Sequence, residues 1–240
     1  MNDFFIKTLI SLGVQLLITW STAYTYKTTV FSRKWMYLIL NVVLSFAMYY
    51  KAIDVRARYA MLVMFSIFNG ILLSSFLKRV PNESIKKNMF YTALLFLLMT
   101  STAFGLMKYD VYMQPLVYFV SLYSIAMLGF MMYILFFDSE KKHLRTYRIL
   151  SIMLFSLYVV VDTYLNMGKD YDMDLVIATL DYYFDVYGLF RNVTQTVEGW
   201  HHNLFIEAHN SSMDIESFTM DKNIVSWWYL SCIFVSLGNS

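Results

Sequence analysis

Apolar runs far longer than a β-strand recur along this chain, with charged or polar clusters between them. They lie near 5–25, 35–50, 59–77, 89–107, 112–137, 148–166 and 175–193. In hydrocarbon every backbone N–H and C=O must find its partner inside the protein, which leaves only helices and closed barrels. A barrel strand needs about ten residues and alternates apolar with polar; these runs are longer and do not alternate. The expectation is an all-α polytopic membrane protein with seven transmembrane helices. The second run is short for a span, and the fifth is long enough to tilt. Composition agrees: 58% of residues are hydrophobic and only 15% charged, against about a quarter charged in soluble domains.

The charged clusters suggest an orientation. Lys27, Arg33 and Lys34, then Lys78, Arg79, Lys86 and Lys87, then Lys141, Lys142, Arg145 and Arg148 fall on one side. The other side has Lys51, Arg56 and Arg58, then Lys108, then Lys169. By the positive-inside rule the first set faces the cytoplasm and the N-terminus lies outside, with the basic loops against anionic lipid headgroups. No cleavable signal peptide is expected, because the first residues lack a basic start. The reading divides the chain into a membrane domain, residues 1–193, and a polar tail, residues 194–240. Within that tail Ile224–Leu237 is apolar but too short to span comfortably. Its paired Trp227 and Trp228 suit the headgroup interface, so a re-entrant or interfacial segment is expected. The single Cys232 excludes an internal disulfide framework and a Cys-based zinc cluster.

Two aspartates stand out against the apolar runs. The polar link Met167-Gly-Lys-Asp-Tyr-Asp-Met-Asp174 joins the last two runs. Asp162 precedes its centre by about nine residues and Asp185 follows it by about fourteen, roughly 12–20 Å at 1.5 Å per helical residue. Both carboxylates therefore reach similar depth in a hydrocarbon layer about 30 Å thick. Ionisable groups at that depth are costly and mark ion or proton paths. Asp181 and Asp185 are four residues apart, on one helix face, and join Asp162 in one acidic cluster. Close carboxylates in low dielectric do not all ionise; they share protons. When ionised they suit a hard cation such as Ca²⁺. The same spacing also suits a helix–helix hydrogen bond with no transport role.

Other chemistry has less support. His201-His-Asn-Leu-Phe-Ile-Glu-Ala-His209 matches no standard zinc motif. There is no Gly-x-Ser-x-Gly, and all four histidines lie outside the expected helices, so the chain is not read as an enzyme and no cofactor is expected. No basic patch interleaved with aromatics points to nucleic acid. The sequons at Asn82, Asn192 and Asn210 matter only if they face a lumen.

The block Asp181-Tyr-Tyr-Phe-Asp185 through Phe190-Arg191 resembles the closing pattern of Bax inhibitor-1 and the wider transmembrane Bax inhibitor motif family, with Val186 in place of a phenylalanine. Val159-Val-Val-Asp-Thr163 is similar to that family's sixth-helix pattern. Phe5-Ile-Lys-Thr-Leu-Ile-Ser-Leu-Gly-Val-Gln-Leu-Leu-Ile-Thr19 resembles its first helix, and Pro81-Asn-Glu-Ser-Ile85 leading to Thr92-Ala-Leu-Leu-Phe96 the entry to its fourth. The resemblance implies a pH-sensitive Ca²⁺ leak with Asp162 and Asp185 as the gating pair. In an endomembrane such as the endoplasmic reticulum it implies lowered Ca²⁺ stores, inhibition of cell death and binding to apoptosis regulators; in a bacterium, residence in the inner membrane. The alternative is a non-conducting membrane adaptor that regulates apoptosis through partner proteins. Two departures bear on this. The lysine-rich tail of Bax inhibitor-1 is replaced by the Trp-rich segment, and Asn69 stands where several relatives carry an acid.

Overall fold

The computed structural model describes residues 3–27, 34–50, 52–78, 80–109, 111–137, 143–168 and 174–208. Among them are seven α-helices and no strand: α1 (Asp3–Thr25), α2 (Lys34–Tyr49), α3 (Val55–Leu77), α4 (Asn82–Lys108), α5 (Gln114–Phe136), α6 (Leu144–Gly168) and α7 (Leu175–Ala208). Five of them (α1, α3, α4, α5 and α6) are long and apolar enough to cross a membrane, and the chain is an integral multi-pass membrane protein. Helix α2, at 16 residues, is apolar but short. Helix α7 is not among the five apolar spans. Its polar residues are instead covered: from Val176 to Thr194 every residue except Val186 and Arg191 is buried. A helix hidden from lipid does not need an apolar surface.

Local signals set the helix starts. The chain has two prolines; Pro81 immediately precedes α4 and Pro115 lies in the first turn of α5. Neither position asks proline for a hydrogen-bonded N–H. Asp54 caps α3, its carboxylate accepting from the Arg56 N–H at 3.1 Å. Several helices outrun the apolar runs that announced them. Helix α3 begins at Val55 rather than 59, α4 at Asn82 rather than 89, and α6 at Leu144 rather than 148. The largest difference is at the end of α7, which continues beyond the expected boundary at 193 through the polar stretch to Ala208. Helical hydrogen bonding depends on the backbone, so a polar face does not end it. The Trp-rich segment Ile224–Leu237, with Cys232, lies outside the described residues.

The fold divides into two compact units. The first gathers α1, α2, α3 and the chain up to Ile85, together with Asp162–Asp185. Its aromatic core stacks edge to face: Phe65 lies 5.4 Å from Tyr183 and 5.5 Å from Phe184, and Phe5 lies 6.4 Å from Tyr182. Helix α1 buries one stripe, Phe5, Thr8, Leu12, Gln15, Thr19 and Ala23, spaced three or four apart. Half of that stripe is polar, while Ile10, Val14 and Leu17 are exposed. This inverts the soluble pattern, as expected where lipid replaces water. Gly70 brings α3 directly onto α1: a Cβ there would stand 2.6 Å from the Thr19 carbonyl oxygen.

The second unit contains Lys86–Val161 and the chain from Val186 onward. Tyr123 donates to the Leu150 carbonyl at 3.0 Å, and Ser124 bonds to Tyr158, tying α5 to α6. Gly188 packs under the Phe155 ring. Phe90, Leu97 and Leu98 on α4 and Tyr118, Phe119 and Leu122 on α5 are exposed. Exposed Ser101 and Thr102 bond back to Leu97 and Leu98, at 2.7 and 2.8 Å. Such back-bonds satisfy a hydroxyl within its own helix.

Candidate functional site

Asp162 on α6 and Asp185 on α7 are both buried, at 8% and 4% relative exposure. Both belong to the first unit. Their carboxyls are in hydrogen-bonding and electrostatic contact, and the charge of Asp181 also reaches Asp185. One Asp185 oxygen, Oδ2, has no hydrogen-bond partner among the described residues. A carboxylate only accepts hydrogen bonds, so a bond between two carboxyls requires one of them to hold a proton. Beside them Tyr182 donates its hydroxyl to Thr163 Oγ1 at 2.7 Å, within electrostatic range of Asp162 and Asp185.

Asp181, expected to join this cluster, is buried at 7%. It does sense Asp185, but its Oδ1 accepts the hydroxyl of Tyr49 at the end of α2. Among the described residues no group of three or more His, Cys, Asp or Glu is placed to hold a metal ion. What the fold assembles is a carboxyl pair with a third acid engaged elsewhere. About two helical turns before Asp181, at the start of α7, lies a feature that sequence reasoning missed. Asp174 caps α7 with its Oδ1, accepting from the N–H groups of Val176 and Ile177 at 3.1 and 3.3 Å. Its Oδ2 takes the Arg58 guanidinium at 2.5 Å. By sequence alone Arg58 counts among the loop charges. It is 5% exposed and also donates to the Met48 carbonyl at 3.3 Å. An acid before an apolar run is a legible helix start; the arginine's partner is not legible.

The remaining candidates separate clearly. Asn69 is fully buried, donates to the Phe65 carbonyl at 3.1 Å and leaves its Oδ1 without a partner among the described residues. Asn192 is buried in α7 and donates to the Gly188 carbonyl at 2.8 Å, so its sequon is closed to a glycan. Asn82 starts α4 and accepts from Lys27 Nζ at 2.6 Å. His201 and His202 fall on the continuation of α7; His209 and Asn210 lie outside the described residues.

Neither a curated protein nor a solved structure shows significant similarity to the chain. A family model does match, over residues 1–199, a range that holds both aspartates and all seven helices up to the last turns of α7. With buried aspartates on α6 and α7 of an all-helical membrane protein, and a match over most of its length, the chain belongs to the Bax1-I family, inhibitors of apoptosis-promoting Bax1.

Proposed function

We propose that the protein is a pH-sensitive Ca²⁺ leak channel, gated by Asp162 and Asp185, that lowers stored Ca²⁺ and opposes cell death. One observation carries this reading: two carboxyls from different helices, each more than nine-tenths buried, meet inside a membrane protein. Burying one such group is costly, and burying two in contact compounds desolvation with like-charge repulsion. A proton shared between them relieves both, and the same oxygens suit Ca²⁺ once the proton leaves. Protons and Ca²⁺ then compete, so the site responds to pH. The protein acts in an endomembrane of a eukaryotic or virus-infected cell, or in the inner membrane of a bacterium. No catalytic activity and no cofactor form part of this reading; apoptosis regulators and membrane lipids are its partners.

The rival reading is a non-conducting adaptor that binds such regulators. Its support is that Asp162 and Asp185 bond each other across α6 and α7, a contact that also serves helix packing. Purified protein in Ca²⁺-loaded liposomes separates the two, assayed across a pH series that spans neutrality, since a coupled carboxyl pair releases its protons in separate steps. The channel reading expects a pH-dependent leak, with Asp162→Asn and Asp185→Asn each inserting normally but changing flux strongly and losing the wild-type pH midpoint. Ca²⁺ binding falls as pH drops, because protons occupy the same oxygens. Wild-type flux and midpoint in both variants refute a pore role for the pair.

A further inference from the structure

The strongest feature outside the aspartate site is a run of buried hydrogen bonds through the core of the first unit. Ser66 Oγ on α3 bonds to Gln15 Oε1 on α1 at 2.5 Å. Thr19 Oγ1, one turn along α1, donates to the Ser66 carbonyl at 3.1 Å and lies 2.7 Å from the Tyr183 hydroxyl on α7. A threonine hydroxyl has one proton. With that proton directed at Ser66, Tyr183 is the donor to Thr19. Ser66, Thr19, Gln15 and Tyr183 are all buried, none above 4% exposure.

This network is anchored at a rigid place. Thr19 sits where Gly70 lets α3 touch the α1 backbone, with no room for even a methyl group between them. The Tyr183 ring is held separately, edge-on to Phe65 at 5.4 Å. The ring contact keeps Tyr183 packed without its hydroxyl, while the directional bond to Thr19 sets how far round α7 is turned. Tyr182, the preceding residue, bonds to Thr163, which adjoins Asp162. At about 100° per residue, Tyr182 and Tyr183 leave α7 on different sides, one tied to α6 and the other to α1. Two ties in different directions fix the rotation of a helix about its axis. Asp185 lies about 200° round from Tyr183, so that rotation decides whether its carboxyl faces Asp162.

We infer that Tyr183 is a positioning residue: its hydroxyl, clasped by Thr19 on the α1–α3 crossing, holds α7 in the rotation that presents Asp185 to Asp162. The inference rests on the aspartate pair being the working site. The clasp is made of hydroxyl and amide groups that carry no charge, so it acts through the geometry of the pair.

Thr19→Val, Tyr183→Phe and the double variant test it, alongside wild type and Asp185→Asn. Three readouts are needed: thermal melting, the infrared carboxyl C=O band that disappears in Asp185→Asn, and Ca²⁺ leak from liposomes. Thr19→Val strands the Tyr183 hydroxyl and melts lowest, whereas the double variant removes both hydroxyls and melts closer to wild type. If Tyr183 positions the site, the carboxyl band stays displaced in the double variant although its stability has recovered. Leak then differs from wild type by about fivefold, equivalent to roughly 1 kcal/mol for one hydrogen bond. A double variant with the wild-type band and wild-type leak overturns the proposal and leaves a merely stabilising bond. A displaced band with no leak in any protein supports the positioning role and overturns the channel reading instead.

Discussion

Arg58 places its guanidinium 2.5 Å from Asp174, and both side chains are at most 10% exposed. A buried pair of this kind adds little over a well-packed apolar pair, but breaking it strands a charge. The two halves are not equivalent. Asp174→Ala leaves Arg58, among the described residues, with only the Met48 carbonyl as hydrogen-bond partner and removes the α7 cap; a loss of about 3–5 kcal/mol is expected, plus about 1 for the cap. Arg58→Met leaves the Asp174 carboxylate still held by two backbone N–H groups, so its loss is smaller. Unfolding both variants in the same detergent checks this order, and equal losses would contradict it. The contrast with the aspartate pair shows what is legible at this scale. Asp162 and Asp185 were visible because acids are rare inside apolar runs. Arg58 was not, because a basic residue near the end of a run looks like a headgroup anchor. Nor was Tyr49 as the partner of Asp181, one tyrosine among twenty.

At the scale of elements, the crossing of α1 and α3 is the most demanding contact. Gly70 leaves 2.6 Å between an added Cβ and both the Thr19 carbonyl oxygen and Thr22 Cβ. A backbone atom cannot turn aside as a side chain can. Gly70→Ala should therefore force the helices apart and lower stability by about 1–3 kcal/mol, read as a lower melting temperature in detergent. Gly13, where an added Cβ meets nothing, is the control; Gly13→Ala should melt no lower than wild type. Both glycines lie in apolar runs, and nothing in the sequence separates them. Helix existence was legible from the length of those runs, while helix ends were not. The polar residues after 193 read as a tail because hydropathy measures what faces lipid. Helix α7 runs on to Ala208 because backbone hydrogen bonding is indifferent to that face.

For the whole molecule, charge bias makes a testable statement about orientation. In a Cys232→Ser background, Lys86→Cys and His143→Cys should both be labelled by an impermeant thiol reagent from the cytoplasmic side only. Both positions flank basic clusters, and labelling from the opposite side would reverse the orientation without touching the fold. The sequence by itself determined that this chain is helical and lives in a membrane, since long unbroken apolar runs have no other way to satisfy their backbones. It also singled out Asp162 and Asp185, because acids are rare inside apolar runs. Only tertiary structure decided what faces inward. In α1 the buried stripe of Thr8, Gln15 and Thr19 is more polar than the exposed Ile10, Val14 and Leu17, so hydrophobic periodicity does not reveal it. Lipid removes the penalty on apolar exposure, and helices then associate through close packing and hydrogen bonds. Such bonds join residues far apart in the chain: Thr19 to Tyr183, Arg58 to Asp174, Tyr49 to Asp181. Each partner satisfies ordinary local rules on its own, and the pairing exists only once the helices are side by side.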